Sequence, residues 1–259
     1  MFDRLGRAWR VVATAFCFAI FGIGGLVLGV LVFPLLSLML WARARAQRAC
    51  RRVIHSTLWG FLWLMRTLGV LDYEIRNAER LRRPGLLIVA NHPSLIDAVF
   101  LLALTPDANC VVKGALARNP FTRGAVQATG WVRNDSGGVA MVDDCIASLR
   151  GGSSLIIFPE GTRTRPGVPL QLQRGAANVA VRGDIALTPV VVRCVPPTLT
   201  KGEKWYHVPR RRPRFVIDVH ADVSVAQWVP QGLEPVKAVR RLNHSLSDYF
   251  SREIRREVA

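Results

Sequence analysis

From residue 11 to residue 42 the chain runs for 32 residues without a charge, VVATAFCFAIFGIGGLVLGVLVFPLLSLMLWA. As one straight helix this run is about 48 Å long, against a hydrocarbon core of ~30 Å. It is long enough to span a bilayer and too long to span it upright, so it tilts strongly or breaks. Gly22, Gly24, Gly25 and Gly29 are expected to loosen its middle and Pro34 to kink its end. A cleaved signal peptide fits poorly, because the run is too long and five arginines follow it between Arg43 and Arg52. Arg4, Arg7 and Arg10 precede the run, so both flanks are basic and the heavier one comes after. The positive-inside bias then places the body of the protein, and any active site in it, on the cytoplasmic face of the membrane. The two-sided charge equally allows a re-entrant hairpin that never crosses. A second apolar stretch, residues 57–65 (TLWGFLWLM), is too short to span. With Trp59 and Trp63 it suits an interfacial helix; a core helix of the following domain is the equal alternative. The expected division is a membrane-anchoring helical segment over residues 1–70 and one folded domain over residues 71–259.

Half the residues are hydrophobic, enough to build a core and to argue against disorder. The 35 Lys and Arg against 18 Asp and Glu leave a net charge of +17, which calls for an anionic partner. Residues 201–214 (KGEKWYHVPRRRPR) concentrate six basic residues against one acidic. That segment and the arginines after the apolar run would hold anionic headgroups, at about 1 kcal/mol per residue near the surface, or an acidic carrier protein. No nucleic-acid-binding motif appears, and a long uncharged anchor does not serve that role, so membrane lipids and not nucleic acid are expected. The cysteines at 17, 50, 110, 145 and 194 are odd in number and scattered, with no metal-ligand spacing. Neither a disulfide framework nor a metal site is expected.

From residue 71 the pattern changes to short β-rich runs alternating with helical ones. Strands are expected over 86–90, 110–112, 155–158, 186–192 and 215–219, and helices over 94–104, 119–128, 138–149, 173–181 and 234–256. This alternation predicts an α/β domain with a mostly parallel sheet flanked by helices, whose ligands gather at the carboxyl ends of the strands.

The segment leaving the first of these strands reads Asn91-His92-Pro93-Ser94-Leu95-Ile96-Asp97. Pro93 keeps His92 out of helical conformation and is itself welcome at a helix start. With His92 ahead of the helix, Asp97 can reach back to its Nδ1 and leave Nε2 free to take a proton, the arrangement of a general-base pair. As a bare spacing the pair is weak, and a capping His with a solvated Asp is the plain alternative. No Ser or Cys sits in a nucleophile motif, so a His–Asp pair would activate a hydroxyl of the substrate. The second informative run is Phe158-Pro159-Glu160-Gly161-Thr162-Arg163-Thr164-Arg165. Gly161 permits a tight turn, the loop with Arg163 could grip an anion, and Glu160 could orient a hydroxyl or pair with an Arg.

NHPSLID followed about 65 residues later by FPEGTR resembles the 1-acylglycerol-3-phosphate (lysophospholipid) acyltransferase family. Two further blocks fall in the same order: Lys113 through Pro120 to Gly130-Trp131-Val132, and Ala186 through Pro189 to Val192. The likeness covers roughly residues 71–193. It implies a glycerolipid acyltransferase-like fold and transfer of a fatty acyl group from acyl-CoA or acyl carrier protein, as co-substrate and with no other cofactor, to the hydroxyl of a lysolipid. It implies that His92 is the general base, that Asp97 orients it, and that Lys113, Glu160, Gly161, Thr162 and Arg163 bind the phosphate-bearing acceptor. The second block departs from the family at its end. Asp135 fits, but Ser136 stands where an Arg is usual. Arg133 either replaces that Arg by a shifted register or is a surface strand residue. A lysolipid without a phosphate therefore stays open as acceptor.

Overall fold

A computed structural model describes residues 2–135, 138–164 and 168–256. Seven strands form one sheet in the order β1-β7-β6-β2-β5-β3-β4. They are β1 (Asp72–Arg76), β2 (Leu87–Ala90), β3 (Ala108–Val112), β4 (Val132–Arg133), β5 (Ser154–Ile157), β6 (Leu187–Val195) and β7 (Arg214–Val219). Neighbours from β6 to β4 run parallel, as does the β1–β7 pair; β6 and β7 meet antiparallel. The fold is thus the expected mostly parallel α/β sheet. The central strands β2 and β5 are buried on both faces, which is why they read as unbroken apolar runs.

Side-chain alternation along the strands divides the interior into two cores. Leu87, Val89, Leu155, Ile157 and Val191 face α7 (Gly138–Arg150), α8 (Gly175–Gly183) and α10 (Pro235–Arg255). Ile88, Ala90, Ile156, Val192, Phe215 and Ile217 face the other way. There they meet α4 (Asp97–Leu104) and residues of the N-terminal helices. The helix expected from residue 94 begins only at Asp97, because the Asp97 carboxylate accepts the Ser94 N–H at 2.6 Å and holds residues 94–96 as a turn. Two short helices, α5 (Gly114–Arg118) and α6 (Pro120–Thr129), follow β3, and α9 (Val225–Trp228) precedes α10.

The uncharged run does not break at its glycines. Helix α1 (Phe2–Val27) continues through a π-helical turn (Leu28–Val32) into α2 (Phe33–Met39), and α3 (Arg43–Thr67) returns antiparallel, with the Trp9 indole N–H donating to the Leu68 carbonyl. Two of the glycines instead permit close packing. A Cβ on Gly25 would lie 2.3 Å from the Phe121 carbonyl oxygen of α6, and one on Gly124 of α6 would lie 2.3 Å from the Gly29 Cα. Ala13, Cys17 and Phe33 are buried against the domain along the same flank. The opposite flank is an exposed apolar stripe through Val12, Phe16, Ile23, Val30 and Leu38, ending on Trp41, which is 95% exposed. Residues Gly6–Met39 are long and apolar enough to cross a membrane by length and composition, with an 18-residue window of mean hydropathy 2.6. In the 57–65 stretch Leu62 and Met65 join the core, as the core-helix reading expects, while Trp59 and Trp63 are exposed.

Candidate active site

The carboxyl ends of β2, β5 and β3 are neighbours in the sheet, and each releases one of the expected site segments. His92 follows β2, Glu160 follows β5 and Lys113 follows β3. Asn91 locks the first of these ends. Its amide donates to the Val192 carbonyl at 2.8 Å and accepts the Val192 N–H at 2.7 Å, tying β2 to β6 where the chain leaves the sheet.

His92 Nδ1 lies 3.1 Å from Asp97 Oδ2, so the pair read from the sequence is formed. Asp97 is fully buried. Burial pushes its carboxyl up to about 6, against the opposing pull of His92 and the Ser94 N–H. Its Oδ1 has no hydrogen-bond partner among the described residues. A carboxylate placed this way fixes Nδ1 as the protonated nitrogen and stabilises the imidazolium that forms when Nε2 takes a proton. Nε2 has no partner among the described residues. The ring is less open than its place at a strand end implies: the His92 side chain is 16% exposed and stacks on Phe158, with centroids 4.2 Å apart. Phe158 is a site residue that sequence reasoning passed over. An aromatic ending the strand before the glycine turn was its only signal.

The segment after β5 clamps the histidine from its backbone. Glu160 Oε1 accepts the His92 N–H at 2.8 Å and the Thr164 hydroxyl at 2.8 Å, and the Thr164 N–H donates to the His92 carbonyl at 2.7 Å. Burial raises the Glu160 carboxyl above its ordinary range. Gly161 adopts φ +65°, a left-handed turn that a side chain would strain. Thr162 makes no side-chain hydrogen bond among the described residues. Arg163 Nη1 donates to the carbonyls of Leu199 (2.8 Å) and Thr200 (3.1 Å), fastening this loop to the one after β6. The same β6–β7 connection accepts Ser94 Oγ at Thr198 and the Leu95 N–H at Leu199. Ser94, Thr164 and the carbonyls of residues 198–200 are therefore the supports of the site.

Lys113 is exposed at the start of α5 and forms no ion pair among the described residues. Arg133 is gripped by Asp135 through two bonds of 3.0 and 2.7 Å. Ser136 and Arg165 lie outside the described residues. All five cysteines are free thiols, and no group of three His, Cys, Asp or Glu side chains suited to a metal gathers among the described residues.

A sequence profile of the family described as Acyltransferase matches residues 72–193. The 1-acyl-sn-glycerol-3-phosphate acyltransferase of Helicobacter pylori is 36% identical over 112 residues, 41% of this chain and 47% of that protein. The lyso-ornithine lipid O-acyltransferase of Pseudomonas aeruginosa is 31% identical over 134 residues, 50% of this chain and 51% of that protein. The chain spans about half the length of these curated relatives. Among solved structures, the 1-acyl-sn-glycerophosphate acyltransferase of Thermotoga maritima superposes with a TM-score of 0.69 over 98% of each chain. At 19% sequence identity, that likeness shows the fold.

Proposed function

We propose that this chain, whose residues 72–193 match the family described as Acyltransferase, transfers a fatty acyl group from a thioester to the hydroxyl of a lysophospholipid such as 1-acylglycerol-3-phosphate. The observation that carries this reading is the His92–Asp97 pair, formed with Nε2 unengaged among the described residues and with the neighbouring Ser94 hydroxyl tied to the Thr198 carbonyl. His92 Nε2 takes the proton of the acceptor hydroxyl as its oxygen attacks the thioester carbonyl. Asp97 holds the resulting imidazolium. Collapse of the tetrahedral intermediate breaks the carbon–sulfur bond, and the proton passes from Nε2 to the departing thiolate. No covalent acyl-enzyme forms. Glu160 and Thr164 keep the His92 backbone in place while the ring turns over its proton.

Lys113 and Arg163 are the acceptor-phosphate ligands in this reading. Lys113→Ala should raise the acceptor KM about tenfold, the scale of one lost charged hydrogen bond, with little change in the thioester KM. Arg163→Ala should raise the acceptor KM more and also lower kcat, because its loop loses the Leu199 and Thr200 anchors. The two KM values, measured with lysophosphatidate and with a phosphate-free lysolipid, decide between acceptors. A rise confined to the thioester KM would sink the assignment of these residues. The phosphate-free acceptor is the second reading, favoured by Ser136 in the place of the usual Arg and by the likeness to the lyso-ornithine lipid enzyme.

The acceptor resides in a bilayer, and the N-terminal helices supply the contact. Packing from Ala13 to Phe33 along the folded domain supports a hairpin lying side-on in the interface, apolar stripe inward, and not an upright span. The active site is then on the leaflet that the basic flanks choose, the cytoplasmic one. Changing Leu38, Met39 and Trp41 together to Ser should cut vesicle binding at least about tenfold, since each removes apolar area from the lipid contact. It should leave the melting temperature unchanged, because all three are exposed. Sedimentation with vesicles checks this, and unchanged binding would place the contact elsewhere.

A further inference from the structure

Three kinds of contact fix His92, each on a different part of the residue. Asp97 takes the Nδ1 edge of the ring. Glu160 and Thr164 hold the backbone N–H and carbonyl. The third lies on the face of the ring, where the Phe158 phenyl stacks with centroids 4.2 Å apart and planes inclined by 26°. The outer torsion of a histidine side chain is soft, with broad preferences. One hydrogen bond at an edge leaves the ring free to tilt about the line from Nδ1 to the carboxylate. A flat partner on the face removes that tilt, and with it the sideways travel of Nε2.

The strands set this contact. Ile88 and Ala90 of β2 and Ile156 of β5 line one core, and Phe158 packs against it. Continued one residue past Val89 and Ile157, the parallel register sets Phe158 beside Ala90. Ala90 offers only a methyl group, which leaves the phenyl room to lean along the strand toward His92. Filling that space would need bulk alone, and any apolar side chain of similar size supplies it. An aromatic adds electrostatics. When Nε2 takes a proton the imidazole becomes a cation, and a cation within ~6 Å of a phenyl face is attracted by its quadrupole. The phenyl therefore favours the protonated ring over the neutral one, which is the direction a general base needs.

We infer that Phe158 is a positioning residue for the transfer: it holds the plane of the His92 imidazole, so that Nδ1 stays on Asp97 and Nε2 stays presented to the acceptor hydroxyl, and it stabilises the imidazolium that follows. The inference rests on the acyltransferase reading and adds a residue to its mechanism. Phe158 acts through His92 and makes no bond to the reacting atoms.

The test compares Phe158→Leu, which keeps an apolar side chain, with Phe158→Tyr, which keeps the aromatic face. In Phe158→Leu kcat should fall about tenfold, the scale of a lost cation–π contact, with the acceptor and thioester KM values nearly unchanged. Phe158→Tyr should recover most of that loss. A second measurement needs no turnover. Nuclear magnetic resonance of the full-length protein in detergent, with its five histidines isotopically labelled, identifies the His92 ring by its disappearance in His92→Ala. The ring protons should lie upfield in wild type and in Phe158→Tyr, through the ring current of the stacked aromatic, and should lose that shift in Phe158→Leu. Relaxation of the ring carbons should report a rigid imidazole in the first two proteins and a mobile one in the third. Wild-type ring protons without the upfield shift overturn the inference, as does an imidazole equally rigid in Phe158→Leu. So does wild-type kcat in Phe158→Leu, or a Phe158→Tyr variant as slow as Phe158→Leu. A loss confined to the acceptor KM also overturns it, since Phe158 would then be a wall of the acceptor pocket. A ring that loosens as expected in protein that transfers no acyl group would support the positioning of His92 and count against the acyltransferase reading alone.

Discussion

His92→Ala should lower kcat for acyl transfer at least ~100-fold, the usual scale for losing a general base, with the acceptor KM nearly unchanged. The alanine cannot take the hydroxyl proton, and among the described residues no other side chain pairs with Asp97 to replace it. The structure adds a stability consequence that a solvent-facing histidine would not have. His92 is the side-chain partner of a fully buried carboxylate and stacks on Phe158. Its removal leaves Asp97 ionised with only the Ser94 N–H, so the variant should melt lower than wild type at pH 8. The gap should narrow at pH 5, where Asp97 is mostly protonated. Turnover by purified, folded His92→Ala within a few fold of wild type would end the general-base mechanism.

The His92–Asp97 pair was legible because its signal is local. Pro93 forces the strand-to-helix break, and five residues of spacing suffice once His92 lies outside the helix. The supports were not legible, because they come from far along the chain. Arg163 reads as an anion grip in sequence, yet its Nη1 holds the carbonyls of residues 199 and 200, 36 and 37 positions away. Glu160 reads as a substrate ligand, yet one of its oxygens bonds the His92 backbone across 68 residues.

Strand β1 was missed for a different reason. Its residues DYEIR alternate charges, and its pairing with β7 is reinforced by Glu74 accepting from both Arg76 and Arg214. An edge strand of this kind carries no apolar run to announce it. Strand β4 has two residues and no period at all. The N-terminal glycines show the limit of reading residue types without partners. Taken alone, Gly25 and Gly29 weaken a helix; against Phe121 and Gly124 they let two helices approach closely.

Asp97→Asn should also cost activity severely, on the order of 10²-fold or more but no more than loss of the histidine, while its effect on stability should change with pH. An amide at this position keeps an acceptor for the Ser94 N–H but no longer fixes the tautomer with Nδ1 protonated, nor does it stabilise the imidazolium. For stability the sign follows from the direction of the shift. Burial raises the native Asp97 carboxyl to about 6 from an ordinary 3.8, so near pH 5 the folded protein holds a proton that the unfolded chain has released. Stability from this group therefore increases as pH falls through 6 and is lost as pH rises through it. Going from pH 8 to pH 5 the wild type gains on the order of 1 kcal/mol from this proton, and Asp97→Asn gains none. The variant should compare best with wild type at pH 8 and worst at pH 5, whatever constant cost the amide carries. Wild-type turnover should run the opposite way, falling as pH drops through about 6, because a protonated Asp97 no longer accepts from Nδ1. Chemical denaturation of both proteins at the two pH values, beside a pH–kcat profile of the wild type, measures each part. A stability difference between the two proteins that is the same at pH 5 and pH 8 would show that Asp97 does not take up a proton in the folded state. It would remove the physical basis for an acid limb near pH 6.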